Sequence, residues 1–269
     1  MIEIKNIFYG YRKDQTLLSN LSFSLANGEI LAIAGRNGTG KTTITRLLMG
    51  LLQPQQGRIL RDGVDITRHN VAERSHFIGY VFQNPDSQIF ANTVLDEAMY
   101  APLQHGYTKE EAKTAAKKAL EAVELLDEAV RSPQLLSRGQ KQRLAIASAL
   151  AADPQILILD EPTSGQDCTE RVLLLRLVRK LNQRGMSILL VTHDMDILAE
   201  YASRVLVLEA GGIGFFGKPA DLFENAARTE ALGLEVPEAV RISKEMGLPL
   251  CLTPADIYKQ LTRREQVYA

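Results

Sequence analysis

The sequence predicts an α/β fold: a parallel sheet core, an N-terminal antiparallel β subdomain, a helical subdomain and a short C-terminal helical extension. Three observations predict it. Short apolar runs recur at 30–34, 77–82, 156–159, 188–191 and 205–208. Helix-like segments alternate with several of these runs, a pattern that covers both faces of a parallel sheet with helices. Ala, Glu, Lys and Leu dominate from about residue 93 to 152, where the strand pattern stops.

The elements follow in order. Ile2 to Ile7 alternates apolar and polar, as does Leu21 to Leu25, and the turn Asn27-Gly28 leads into the core strand Ile30 to Ala34. A Gly-rich loop gives way to Ile44, Leu47, Leu48 and Leu51, spaced for one buried helical face and closed by Gly50 and Pro54. Asp62-Gly63 separates two short strand-like segments, and the strand at Phe77 to Phe82 stops at Gln83-Asn84-Pro85. In the helical region, about 84–152, Thr108 and Glu111 form a capping-box pattern and Pro133 divides two helical stretches. The chain then returns to strand at Ile156 to Leu159, helix from about Arg171 to Gln183, strand at Ile188 to Val191 and a last core strand at Val205 to Leu208. Past about Asp221 two short helical patterns surround Pro237 and Pro249. These divisions give a main domain over 1–225 and an extension over 226–269.

Composition removes several classes. With 269 residues, 45% hydrophobic and 23% charged, the chain is long enough for a sizeable core and is neither disordered nor collagen-like. Lys plus Arg number 31 against 32 Asp plus Glu, so net charge gives no reason to expect nucleic acid or an anionic membrane as partner. Cys168 and Cys251 lack paired metal-ligand spacing and read as reduced thiols of a cytosolic protein. No apolar stretch approaches the ~18 residues of a bilayer span, and the start MIEIKNIFYG lacks a signal-peptide core, so a soluble chain is expected.

Chemistry concentrates at strand ends. Gly35-Arg36-Asn37-Gly38-Thr39-Gly40-Lys41-Thr42 fits G-x-x-x-x-G-K-[ST] between an apolar strand and an amphipathic helix, the context of a phosphate-binding loop. Its backbone N–H groups and the helix N-terminus suit phosphate oxygens. Lys41 is placed for the β and γ phosphates and Thr42 for Mg²⁺. The strand Ile156–Leu159 runs into Asp160-Glu161, two carboxylates too costly to bury unless they sit at the strand's C-terminal edge beside a cation. Asp160 is the natural Mg²⁺ partner and Glu161 the natural base for an attacking water. Gln83 and His193 also follow apolar strands, although His193 alone reads first as a structural hydrogen-bonding residue and Gln83 alone is a weaker signal still. Ser137 reads as the N-cap of a helix with Gly139 and Gln140 in its first turn, a second anion site in a chain with one phosphate loop.

In this order and spacing, the phosphate loop, Gln83, LSRGQ at 136–140, ILILDEP at 156–162, TSGQD at 163–167 and His193 resemble the ATP-binding subunits of ABC transporters, over residues 1 to 225. The resemblance implies a P-loop NTPase with ATP and Mg²⁺ as cofactors, working as a head-to-tail dimer. ATP then lies between the phosphate loop, Asn37 to Thr43, of one subunit and Ser137, Gly139 and Gln140 of the other. It further implies that Tyr11 stacks on adenine, with Phe8 and Tyr9 as competitors for that role. Gln83 would link the Mg²⁺ site to the helical subdomain, Asp167 would reach across the dimer, and His193 would hold the γ-phosphate and water. Arg138 departs from the usual Gly and Gln166 from the usual Leu.

Phe82 to Phe90 (FQNPDSQIF), the run Ser137 to Ala147, and the tail segments Leu232-Gly233-Leu234, Val236-Pro237 and Thr253-Pro254-Ala255-Asp256 resemble ATPase subunits of energy-coupling factor transporters, prokaryotic importers of vitamins or of cobalt and nickel ions. That resemblance implies a second ATPase subunit, identical or different, a membrane coupling subunit, a small substrate-binding membrane protein and a place at the cytoplasmic face of the membrane. The C-terminal tail would join the dimer interface. Two rivals are a soluble ABC-type ATPase acting on ribosomes or DNA, which usually carries tandem cassettes or insertions, and a P-loop kinase or GTPase, for which no Asn-Lys-x-Asp element is present.

Overall fold

The computed structural model describes residues 1–12 and 15–268, with side chains described through residue 263. The alternating N-terminus forms β1 (Ile2–Tyr9), antiparallel to β2 (Leu18–Leu25). Asn6 takes a positive φ of 52° at an irregularity in this pair, so that Ile2, Ile4 and Ile7 all reach the core despite their uneven spacing. Next come β3 (Ile30–Gly35), α1 (Lys41–Met49), β4 (Gln56–Arg61) and β5 (Val64–Asp65). The strands β2-β1-β4-β5, in that order, make the antiparallel sheet that the sequence predicts.

The remaining elements are α2 (Val71–Ser75), β6 (Ile78–Val81), α3 (Val94–Gln104), α4 (Lys109–Ala122), α5 (Arg138–Leu150), β7 (Ile156–Asp160), α6 (Cys168–Gln183), β8 (Ser187–Val191), α7 (Met195–Tyr201), β9 (Arg204–Glu209), β10 (Gly212–Gly217), α8 (Pro219–Phe223), α9 (Ala226–Ala231), α10 (Glu238–Glu245) and α11 (Pro254–Tyr268). A second sheet has the order β10-β9-β3-β8-β7-β6, parallel throughout except for β10. The C-terminal ends of β3, β6, β7 and β8 therefore open onto one edge, carrying Gly35, Gln83, Glu161 and His193 just beyond them.

Side-chain alternation divides the core. On β3, Leu31 and Ile33 join α1 and the antiparallel sheet, whereas Ala32 and Ala34 face a cluster with β9 and the C-terminal helices. A third cluster packs α3, α4, α5 and α6 against Val81, Leu157, Leu159 and Leu190. The predicted capping box is present on α4, where Thr108 Oγ1 accepts from Glu111 N and the Glu111 carboxylate accepts from Thr108 N.

Several elements differ from the sequence expectation. Leu51 is not on the buried face: α1 ends at Gly50, which turns left-handed with φ 77°, and Leu51 is 49% exposed. β10 escapes notice because Gly212, Gly214 and Gly217 dilute its apolar pattern. α6 begins at Cys168 rather than Arg171, because the Asp167 carboxylate caps it by accepting from Glu170 N at 2.9 Å. The chain beyond Gly217 forms α8 to α11, more helices than the two proline-flanked patterns announce.

Candidate nucleotide site

The phosphate loop is tied by hydrogen bonds of its own. Thr39 N and Oγ1 donate to the Arg36 carbonyl at 3.4 and 2.8 Å, and Lys41 Nζ donates to the carbonyls of Gly35 (2.7 Å) and Arg36 (3.0 Å). Gly40 holds the N-cap of α1 at φ 102°, a conformation that costs most side-chain-bearing residues energy, and so aims the first N–H groups of the helix into the loop. Lys41 is only 8% exposed. Burial pulls its pKa below the usual lysine range, while Glu161 and Asp160 nearby oppose that shift.

The β7 end supplies two carboxylates with different environments. Asp160 is buried and accepts a hydrogen bond from Tyr80 Oη at 3.0 Å; that hydroxyl also bonds Thr45 Oγ1 at 2.9 Å. Burial raises the Asp160 pKa, and the Tyr80 and Thr42 hydroxyls counter it. Burial likewise pushes the Tyr80 hydroxyl far above the usual tyrosine value, so it stays a donor. Glu161 takes φ 47°, rare for a side-chain-bearing residue, which turns its carboxylate out of the strand line into the cavity. Gln83 Nε2 donates to Glu161 Oε2 at 2.8 Å, and His193 Nδ1 stands 3.5 Å from the same oxygen. Gln83, Glu161 and His193 thus form a continuous polar chain from the ends of β6, β7 and β8.

Lys41, Gln83, Glu161 and His193 share one cavity of about 680 Å³ lined also by Tyr11, Leu17, Asn37, Gly38, Gly40, Thr42 and Thr43; Thr39 and Asp160 are not among its lining residues. Tyr11 is 59% exposed, stacks edge-on against Tyr9 and shares a 3.1 Å hydrogen bond with Thr43. Tyr9 is buried, so of the two tyrosines only Tyr11 presents its ring to the cavity. The Thr42 hydroxyl, the Asp160 carboxylate and the Gln83 amide oxygen are hard oxygen donors of the kind Mg²⁺ takes alongside substrate phosphates. A buried carboxylate with a raised pKa and no cationic side chain bonded to it fits such a cation.

Ser137, Gly139, Gln140 and Asp167 do not line this cavity among the described residues. Ser137 Oγ accepts from Gln140 N at 3.1 Å while Gln140 Oε1 accepts from Ser137 N at 2.9 Å, a closed capping box. Gly139 abuts the Glu170 carboxylate, which pairs with Arg143. The Arg138 guanidinium lies on Gly165, where an added Cβ would stand 2.6 Å from its central carbon. The N-terminus of α5 is therefore seated on the 163–170 segment. Sequence reasoning misses Leu17, Tyr80 and Thr45; a tyrosine inside the otherwise apolar strand 77–82 is the one signal that pointed to Asp160's partner.

A family model for ABC transporters matches residues 18–164. The chain is 44% identical over 250 residues to a putative ABC transporter ATP-binding protein of Pyrococcus horikoshii, covering 92% of this chain and 94% of that one. It is 40% identical to the energy-coupling factor transporter ATP-binding protein EcfA1 of Streptococcus agalactiae, over 92% and 89% of the two chains. Of two other putative ABC transporter ATP-binding proteins it spans 43% of the length. The fold matches CbiO1 from Clostridium perfringens, part of the ABC transporter complex CbiONQ, with TM-score 0.79 and 30% identity over 92% of this chain and 98% of that one.

Proposed function

The chain belongs to the ABC transporter family and is an ABC ATPase, and from that premise we propose that it powers an importer of the energy-coupling factor type, bringing a vitamin or transition-metal ion through membrane partner subunits. The observation that carries the ATPase mechanism is the convergence of Lys41, Gln83, Glu161 and His193 on one cavity at the sheet edge.

The phosphate loop from Asn37 to Thr43 binds the polyphosphate of ATP, and Tyr11 takes the adenine face. Lys41, released from its two backbone carbonyls, neutralises the β and γ phosphates. Glu161 accepts the proton of the attacking water as its oxygen bonds in line to the γ-phosphorus and the bond from that phosphorus to the bridging oxygen breaks, ADP leaving with the bond's electron pair; His193 holds that water and the γ-phosphate. Gln83 keeps Glu161 oriented through its 2.8 Å bond. Thr42, Asp160 and Gln83 would hold Mg²⁺, which when bound would supply charge neutralisation at the phosphates. Ser137, Gly139, Gln140 and Asp167 serve the cavity of a second ATPase subunit, identical or different, so that two cavities are completed by head-to-tail pairing. Their position on the separate 137–170 seat, away from this chain's own cavity, supports that reading.

Support for a membrane partner comes from exposed aromatics on either side of Gln83 in the sequence. Phe82, Phe90 and Tyr100 are each 40% exposed or more, and Phe90 stacks edge-on against Tyr100 at 4.7 Å. Solvent-facing aromatics of this density mark docking surfaces, and their tie to Glu161 through the Gln83 loop offers a route from hydrolysis to a membrane coupling subunit. No helix among the described residues is long and apolar enough to cross a membrane, so the attachment proposed is peripheral, at the cytoplasmic face. The likeness to EcfA1 and CbiO1 is what favours the energy-coupling factor class.

Affinity purification of the tagged chain from gently solubilised native membranes tests this. Stoichiometric recovery of a coupling membrane protein with a small substrate-binding one is the expected result. Recovery from the soluble fraction alone, with ribosomes or DNA, would overturn the importer reading and leave the ATPase chemistry standing.

A further inference from the structure

We propose that the C-terminal extension braces the nucleotide site, with the contact of Arg36 on Gly233 as its positioning element; the inference rests on the cavity around Lys41 being the ATP site. Leu232, Leu234, Val236 and Val240 bury in the same cluster as Ala32 and Ala34 of β3, the strand that runs directly into the phosphate loop. Between Leu232 and Leu234 the chain turns at Gly233, φ 74°, whose N–H donates to the Glu230 carbonyl at 2.8 Å. An added Cβ there would stand 2.8 Å from Cγ and Cδ of Arg36 and closer still to Nε. The side chain of Arg36, an exposed residue, therefore runs across Gly233, where an added methyl group would push it aside.

Arg36 is also the residue whose carbonyl accepts from Lys41 Nζ at 3.0 Å and from Thr39 N and Oγ1. Pressing its side chain onto Gly233 fixes the peptide that holds Lys41. Among the described residues no carboxylate pairs with the Arg36 guanidinium, so the packing contact is what orients it. A second contact lies beyond the neighbouring strand β8: Glu238 N, at the start of α10, donates to Asp196 Oδ1 at 3.1 Å, in the helix that follows His193. The extension thus touches both the loop that carries Lys41 and the helix downstream of His193, although it contributes no lining residue to the cavity.

The test uses the full chain with Gly233→Ala, Arg36→Ala and the double variant, reading ATP KM, kcat and the Kd of a non-hydrolysable ATP analogue, with Lys41→Ala alongside. A contact-coupling of the usual size predicts that Gly233→Ala raises KM and Kd about 5- to 10-fold, with kcat at saturating ATP within about two-fold. In the Arg36→Ala background, where nothing remains for the new methyl group to strike, Gly233→Ala should add almost nothing. Equal effects in both backgrounds, or unchanged nucleotide affinity in both single variants, would overturn the brace. The positive φ at 233 makes alanine costly in both backgrounds alike, so an equal fall in melting temperature is expected, and the brace is read from nucleotide affinity alone. Undiminished binding by Lys41→Ala would instead remove the ATP site itself, a separate failure.

Discussion

Arg74 offers a quantitative test of how the phosphate loop's helix is held. Its side chain is fully buried and donates to five backbone carbonyls: Leu47 (2.6 Å), Leu48 (2.7 Å), Ile66 (2.7 Å), Thr67 (2.9 Å) and His69 (3.1 Å). Leu47 and Leu48 are among the terminal carbonyls of α1, and only that of Leu47 also accepts from the capping Gly50 N, at 3.2 Å. Burial pulls the Arg74 pKa to about 10, which still leaves it charged at neutral pH. Hydrogen bonds to a charged group are worth ~1.5–3 kcal/mol each, so five independent ones would give roughly 7–15 kcal/mol, as much as a whole domain's net stability. The desolvation of the guanidinium, several kcal/mol, offsets much of that sum. Arg74→Met keeps the length and removes the donors, and should cost about 4 kcal/mol, or a fall in melting temperature of roughly 8–16 °C at the scale of large domains. Arg74→Lys, with at most three donors from one nitrogen, should recover less than half. Urea and thermal unfolding of the two variants read these values. A loss below about 1 kcal/mol in Arg74→Met would refute the reasoning, because such a value belongs to surface substitutions.

Other expectations follow from the same geometry. Glu161→Gln should bind ATP normally and turn over roughly 10²- to 10⁴-fold more slowly, the range for a lost general base, and near-normal turnover would remove Glu161 from that role. Burial makes Asp160 hold its proton more tightly in the folded chain than in the unfolded one, so its contribution favours folding at low pH and is lost as pH rises through the raised pKa. Tyr80→Phe removes a bond that lowers this pKa; the acid limb of the ATPase pH profile should move to higher pH, and an unmoved limb would show that Asp160 is not required ionised. Gly139→Ala should displace Glu170 from Arg143 and cost about 1–3 kcal/mol in unfolding free energy, a loss that Glu170→Ala should largely forestall.

How far the site was legible follows from where each signal lies in the chain. The phosphate loop, Asp160-Glu161, Gln83 and His193 stand beside apolar runs, and parallel pairing of those runs sends their ends to one edge; contiguous pattern plus sheet topology sufficed for these residues. Ser137 was legible as a cap for a similar reason, because Gln140 lies three residues on and the box is local. Arg74, Tyr80 and Gly233 act across 26, 80 and 197 positions of chain, on the Leu48 carbonyl, Asp160 and Arg36 respectively. No periodicity encodes such contacts. β10 failed for a different reason: its antiparallel pairing with β9 relies on main-chain bonds, and its glycines erase the side-chain alternation. The short helix α2 begins with an Asn70–Glu73 capping box, a local signal that was present and went unread.

Head-to-tail pairing, as proposed, gives this chain two halves of different nucleotide sites, a cavity around Lys41 and Glu161 and a separate Ser137 segment. Sedimentation velocity of the Glu161→Gln variant, with and without Mg²⁺-ATP, alone and with its partner ATPase, tests it most directly. A shift from monomer to dimer on adding ATP, abolished by Lys41→Ala, is the expected result; a species that stays monomeric at every ATP concentration in both settings would rule the pairing out.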